Sequence, residues 1–266
     1  MAKVHLFCQS KGGVGKSFAA TMFSQYMRTL NPQIRLLDTD PSNLSLASFK
    51  TLQADNLDLR DRNGKITPGS FITLYENITV DKSDCIIDTG ASTFIQFKEF
   101  FQDADQTIIE DLKEQGFDVI FHMPVTPDQA RVFCIRTIEE CTKIFSAAKI
   151  VIWENNYPDY VITEIEKATN KTILDFFTDK DAAEKITAIV HLPYIDPDLK
   201  MVILKEMLTQ NLTFEDVINN PDNLRFTGKI TRSIGKKYIA YIRKEIFAQI
   251  ESALRELLNE THIIIH

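Results

Sequence analysis

The chain has 266 residues, 44% hydrophobic and 25% charged, a composition that excludes a disordered, collagenous or coiled-coil protein and supplies a sizeable core. With 30 Lys and Arg against 37 Asp and Glu the net charge is −7, which excludes a chain basic throughout and leaves room for a local basic patch. Cys8, Cys85, Cys134 and Cys141 form no CxxC pair, and neither Met1–Ser10 nor Ile263–Ile265 is long enough for a signal peptide or a membrane span. A cytoplasmic protein with reduced thiols, no metal cage and no transmembrane segment is expected.

Apolar runs of strand length alternate with segments of helical period, which predicts an α/β fold: a mainly parallel, twisted sheet with helices on both faces. In chain order the pattern predicts a strand at Val4–Cys8, a helix at Ser17–Leu30 and a strand at Ile34–Leu37. Residues 53–81 carry Asn63-Gly64 and Pro68-Gly69 and read as turns in a variable excursion. Strands follow at Cys85–Ile87 and Val119–His122, then a helix at Pro127–Ala147, a strand at Ile150–Trp153 and a helix at Tyr160–Ala168. A strand at Ala188–His191, a helix at Asp196–Leu208 and a long helix from about Thr231 to Leu258 complete the series. No repeat or low-complexity linker interrupts it, so residues 1–266 read as a single domain whose basic helical C-terminal part is 223–260.

Three strand ends carry chemistry. Lys11-Gly12-Gly13-Val14-Gly15-Lys16-Ser17 leaves the first strand and opens a helix, the context of a phosphate-binding loop. Glycines let backbone N–H groups converge on an anion at the positive end of the helix, Lys16 reaches the phosphates, and Ser17 offers its hydroxyl to Mg²⁺. Ser10 stands where the plain GxxxxGK[ST] pattern has glycine, so the match is to a variant with lysine one residue later. Ile34–Pro41 ends in Asp38 and Asp40, and Asp84–Ser92 ends in Asp88 followed by Gly90; acids beside a phosphate loop suit magnesium and the orientation of an attacking water.

KGGVGKS with its early lysine resembles the deviant Walker A box of the ParA/MinD family of P-loop ATPases. The resemblance implies ATP and Mg²⁺ as cofactors and an ATP-dependent homodimer. In that family the early lysine, here Lys11, reaches the partner's phosphates; a second phosphate contact within the same chain is the alternative. It also implies nucleotide contacts from Gly12 to Phe18, including Gly13, Val14, Gly15, Lys16 and Ser17. Asp40 becomes the water-orienting residue and, with Lys11 and Lys16, part of the catalytic set; Ser17, Asp38 and Asp88 become the magnesium set. Asn155, with Asn156 beside it, is implied at the adenine, and Pro193 in the loop that closes over the base. The family has proline soon after the third-box aspartate; Gly90-Ala91-Ser92 stands here instead. HLFCQSKGGVGKS, IIDTGAST and VIWENNY together resemble the TraL/StbB-type branch encoded on conjugative plasmids, which implies a plasmid-encoded partner and a part in conjugation, partition or stability.

Between Asn223 and Lys244 lie Arg225, Lys229, Arg232, Lys236, Lys237, Arg243 and Lys244 with no acidic residue. Near Tyr238 and Tyr241 they suit DNA phosphates without sequence preference; a partner's acidic surface or a solvated helix face are the alternatives. The apolar stripe Ile246, Phe247, Ile250, Ala253, Leu254, Leu257 and Leu258 has the period of a MinD-like membrane helix, but Glu245, Glu251, Glu256 and Glu260 lie among it, so packing on the sheet is expected. His5, His122 and His191 are expected to be packed, not catalytic. Competing functions are a dethiobiotin-synthetase-like ligase of the same superfamily and a nitrogenase-iron-protein-like reductase, whose bridging cluster would need Cys85 with Cys134 or Cys141.

Overall fold

The computed structural model describes residues 1–41, 43–103, 107–155, 172–195, 199–225 and 229–259. Strands β1 (Ala2–Phe7), β2 (Arg35–Asp38), β3 (Asp55–Asn56), β4 (Cys85–Asp88), β5 (Phe117–Val125), β6 (Lys149–Glu154) and β7 (Ile186–His191) form one sheet in the order β3-β2-β4-β1-β5-β6-β7. Every ladder in it is parallel. The chain moves from β1 to the β2 side, returns through β4, and crosses β1 to reach β5, so the order reverses around β1 and opens a crevice at the carboxyl ends of the central strands.

Successive β1 side chains enter opposite cores, as a sheet covered on both faces requires. Phe7 packs under α1 (Lys16–Leu30), with helices α7 (Leu199–Thr209), α8 (Phe214–Asn219) and α9 (Lys229–Asn259) completing that layer. Val4 and Leu6 face α2 (Pro68–Thr79), α3 (Ala91–Asp103), α4 (Thr107–Glu114), α5 (Arg131–Ile144) and α6 (Lys180–Glu184). Ile239, Ile242, Ile246, Ile250, Ala253 and Leu257 are buried at helical spacing along α9. That apolar stripe packs against the fold, as expected, and no helix among the described residues is long and apolar enough to cross a membrane.

Residues 53–81 are more ordered than their turn signals predict. β3 adds a short edge strand, and Thr67-Pro68-Gly69-Ser70 is the start of α2. Proline suits the first helical position, where its missing N–H is not needed, and the Ser70 hydroxyl accepts the Thr67 N–H at 3.0 Å. Helices α3 and α4 occupy 91–103 and 107–114, where no helix was expected, and Gly116 at φ 91° ends the second. α5 begins at Arg131, not Pro127, because Asp128 first closes a turn, accepting the Thr126 hydroxyl at 2.7 Å and the Ala130 N–H at 2.8 Å. α7 is described from Leu199, not Asp196, and the helix expected at Tyr160–Ala168 lies outside the described residues, as do Asn156 and Glu260.

Beneath α1, a polar chain crosses the aromatic core. Trp153 Nε1 donates to His122 Nδ1 at 2.9 Å, which places the His122 proton on Nε2, and that nitrogen lies 2.9 Å from His5 Nδ1. Burial, with Lys3 adding to it, lowers the His5 pKa to about 3; burial and then His5 hold His122 well below its ordinary value. Both imidazoles are neutral packing groups.

Candidate functional site

Residues 8–15 connect β1 to α1 at the centre of the crevice. Gly13 and Gly15 adopt φ 78° and 93°, a region that only glycine enters without strain, and Gly15 is the N-cap of α1. Ser10 has no positive φ, so glycine is not required there; its hydroxyl instead lies 2.6 Å from that of Thr137 on α5. Gln9, fully buried, donates to the carbonyls of Pro124 and Cys134 at 3.2 and 3.3 Å, so the front of the loop is tied to β5 and α5.

Lys16 is 8% exposed and its ammonium folds back to the Lys11 carbonyl at 3.3 Å. Burial lowers its pKa, with the carboxylates of Asp88 and then Asp40 opposing. Lys11 is exposed at the loop's outer edge. Ser17 and Phe18 line a cleft of about 330 Å³ with Thr21, Asn43, Phe49 and Asn211.

Two Asp-Thr doublets close the strand ends beside the loop. Asp38 pairs in register with Asp88, and Asp88 with Phe7. The Thr39 hydroxyl donates to the Asp88 carbonyl at 3.0 Å and the Thr89 hydroxyl to the Phe7 carbonyl at 2.9 Å. Asp38 is buried and accepts the Asp40 and Ala47 N–H groups at 3.1 and 3.0 Å, shaping the loop that follows β2; burial raises its pKa despite those bonds. Asp40 is half-buried and accepts the Asn43 N–H at 3.2 Å. Gly90 lies against its carboxylate.

Asp88 differs from Asp38. It is fully buried, and neither carboxylate oxygen has a hydrogen-bond partner of ordinary geometry. Burial pushes its pKa up to about 8; the nearby Ser17 hydroxyl and Lys16 ammonium oppose the rise, while the charges of Asp38 and Asp40 add to it. An orphaned buried carboxylate beside a hydroxyl at a helix N-terminus is a donor set that fits a hard divalent cation completing its shell with phosphate oxygens and water. Among the described residues no three or more His, Cys, Asp or Glu side chains form a metal cage without such help.

At the far end of the crevice Asn155 is 4% exposed and its amide nitrogen donates to the Val14 carbonyl at 3.0 Å. Pro193 is half-buried in the loop after β7. Beside them His191 Nδ1 and Glu154 Oε2 lie 2.6 Å apart, a bond that raises the His191 pKa. His5 and His122 are packed, as expected, whereas His191 is largely exposed at this rim.

The structure therefore brings the loop, Asp38, Asp40, Asp88, Asn155 and Pro193 to one edge of the sheet. Sequence reading missed Gln9, Thr39, Thr89 and Thr137; the repeated Asp-Thr at two strand ends was the visible signal for the threonines. Cys8, Cys85, Cys134 and Cys141 are all buried free thiols, with burial raising Cys85 to about 12 and Cys134 to about 11. Buried in this way, they are not placed to share a cluster with a second subunit.

The basic segment is partly neutralised. Arg232 pairs with Asp222 and Arg243 with Glu215, while Lys236, Lys237 and Lys244 are exposed; the Lys229 side chain lies outside the description. Tyr241 is 54% exposed, with the Lys200 ammonium 5.8 Å from its ring centre.

No family model matches the chain. It is similar to two Escherichia coli proteins named TraL, with 26% and 27% identity over 254 residues, each alignment covering 95% of this chain and 99% of the relative. Among solved structures it is similar to the MinC:MinD cell division protein complex of Aquifex aeolicus, with 14% identity, coverage of 100% and 99%, and a TM-score of 0.48. The ParA family ATPase from Chlorobium tepidum TLS gives 16% identity, coverage of 91% and 98%, and a TM-score of 0.43. The chain is thus similar to the TraL proteins over nearly its whole length, and it sets its Lys11–Ser17 phosphate-loop motif at the carboxyl edge of a seven-stranded parallel sheet.

Proposed function

We propose that the protein is a magnesium-dependent ATPase that works as an ATP-dependent dimer switch in plasmid conjugation, partition or stability, acting with a plasmid-encoded partner. The observation that carries the ATPase reading is the orphaned Asp88 carboxylate, buried beside Lys16 and Ser17 at the mouth of the loop. The N–H groups of residues 12–18 and the Lys16 ammonium would hold the phosphates; Ser17 and Asp88 would hold a hydrated cation, which would neutralise charge on the phosphate oxygens. Asp38, its oxygens engaged by two amides, keeps Asp40 in place, and Asp40 orients the attacking water. Exposed Lys11 reaches the phosphates of a second copy, which ties hydrolysis to dimerisation. Asn155 and Pro193 lie at the base end.

The test is the solution mass of Asp40→Ala by light scattering, without nucleotide, with ADP, and with ATP and Mg²⁺. A mass that doubles only with ATP is expected, and Lys11→Ala in the same background is expected to bind ATP as a monomer. An unchanged mass returns weight to a small-molecule ligase. Against that reading, the described residues that line the cleft beside Ser17 supply hydroxyls, amides and apolar groups, with no charged side chain among them to hold an acidic acceptor.

A second element, binding of DNA without sequence preference, is favoured by the exposure of Lys236, Lys237 and Lys244 beside Tyr241. These residues replace the full basic run as the proposed contact.

A further inference from the structure

We propose that Asn155 is a positioning residue of the phosphate loop, acting on the Val14–Gly15 peptide; this rests on the reading of that loop as a phosphate site. Its own place is fixed: it follows β6, donates its backbone N–H to the Val125 carbonyl at 2.8 Å, and is almost fully buried. From there its side-chain amide reaches 141 residues back along the chain to the Val14 carbonyl, 3.0 Å away. A Cβ built on Gly15 would lie 2.3 Å from the same amide nitrogen, so Gly15 is needed as much for Asn155 as for its φ of 93°.

The consequence follows from peptide geometry. In a trans peptide the carbonyl of Val14 and the N–H of Gly15 point in opposite directions. Holding the carbonyl toward Asn155 aims the Gly15 N–H away from it and prevents the peptide from turning over. Gly15 has no Cβ to resist that rotation, so without the bond the loop would in part present a carbonyl oxygen where an anion needs a donor. Asn155 therefore acts on phosphate through the loop, whether or not it also touches a base.

The test compares unsubstituted protein with Asn155→Ala and Asn155→Ser, neither of which reaches Val14, using magnesium tripolyphosphate, MgATP and adenosine as probes in calorimetry. Both variants are expected to bind tripolyphosphate and ATP more weakly by the same factor, about tenfold, the effect of one lost buried hydrogen bond. The downfield shift of the Gly15 amide proton on adding tripolyphosphate is expected in the unsubstituted protein and absent from the variants. Ligand-free melting temperature identifies a variant that has not folded, in which case the other supplies the answer. Unchanged tripolyphosphate affinity with weakened ATP or adenosine binding would overturn the proposal and leave Asn155 as a base contact. Failure of the unsubstituted protein to bind either phosphate ligand is a separate result that overturns the nucleotide reading.

Discussion

A Cβ on Gly90 would lie 3.0 Å from both Cγ and Oδ1 of Asp40. The glycine after the second Asp-Thr doublet is thus the surface on which the Asp40 carboxylate rests, and any side chain there must push it aside. Gly90→Ala is expected to lower the steady-state ATPase rate by roughly 10²-fold, the scale of an ångström-level misplacement of a catalytic group, while MgATP affinity changes little. Equal rates in Gly90→Ala and the unsubstituted protein would remove Asp40 from the chemistry.

Lys16 and Asp88 should separate by what they bind. Lys16→Ala is expected to weaken ATP binding about tenfold or more with or without magnesium, because it removes a charge-assisted contact. Asp88→Asn is expected to keep magnesium-free ATP binding and to lose the extra thermal stabilisation that Mg²⁺ adds to ATP. A thermal-shift titration with ATP at zero and saturating Mg²⁺ reads both.

The pair His5 and His122 predicts an acid limit to stability. Each is held neutral in the fold, at about 3 for His5 and well below 6.5 for His122, while the unfolded chain takes up protons near 6.5. Below pH 6.5 the unfolded state binds more protons. The stability contribution is therefore complete above 6.5 and is lost as pH falls toward 3, by at most about 1.4 kcal/mol per pH unit for each histidine. Urea unfolding between pH 7 and 5, followed by the fluorescence of Trp153, the chain's single tryptophan, is expected to show this slope, and His5→Phe with His122→Phe is expected to flatten it.

On α9 the basic residues divide into two groups. Lys237→Ala and Lys244→Ala should each reduce the slope of log affinity for duplex DNA against log salt by about one, without loss of stability. Arg232→Ala and Arg243→Ala remove partners of Asp222 and Glu215 and are expected to affect folding stability more than DNA affinity. A salt slope that none of the lysine substitutions changes would assign this face to another partner.

The strands and the loop were legible because their signals are local: β-branched runs buried on both faces, and glycines at fixed offsets from a lysine. The helix Pro68–Thr79 was hidden by its own start, since Thr-Pro-Gly reads equally as a turn until Ser70 closes the cap. Ala91–Asp103 was hidden by its aromatic and β-branched content, Phe94, Ile95 and Phe97 among it, which lowers helix propensity until packing against the sheet overrides it. In the candidate site, the acids were readable as strand ends. The bond from Asn155 to Val14, the contact of Gly90 with Asp40, and the capture of Ser10 by Thr137 join residues far apart in sequence, so no local pattern carries them.

The Thr39 and Thr89 hydroxyls, each bonded to the carbonyl of the neighbouring strand, give a boundary to motion. They lock the ends of β2, β4 and β1 into one rigid comb. On the proposed function, a rearrangement between nucleotide states would hinge beyond the comb, at Asp40 on one side and Gly90 on the other. The Asp40 carboxylate fills the space where a side chain at 90 would stand, so the two loops that follow run side by side and a shift of one meets the other without crossing the core.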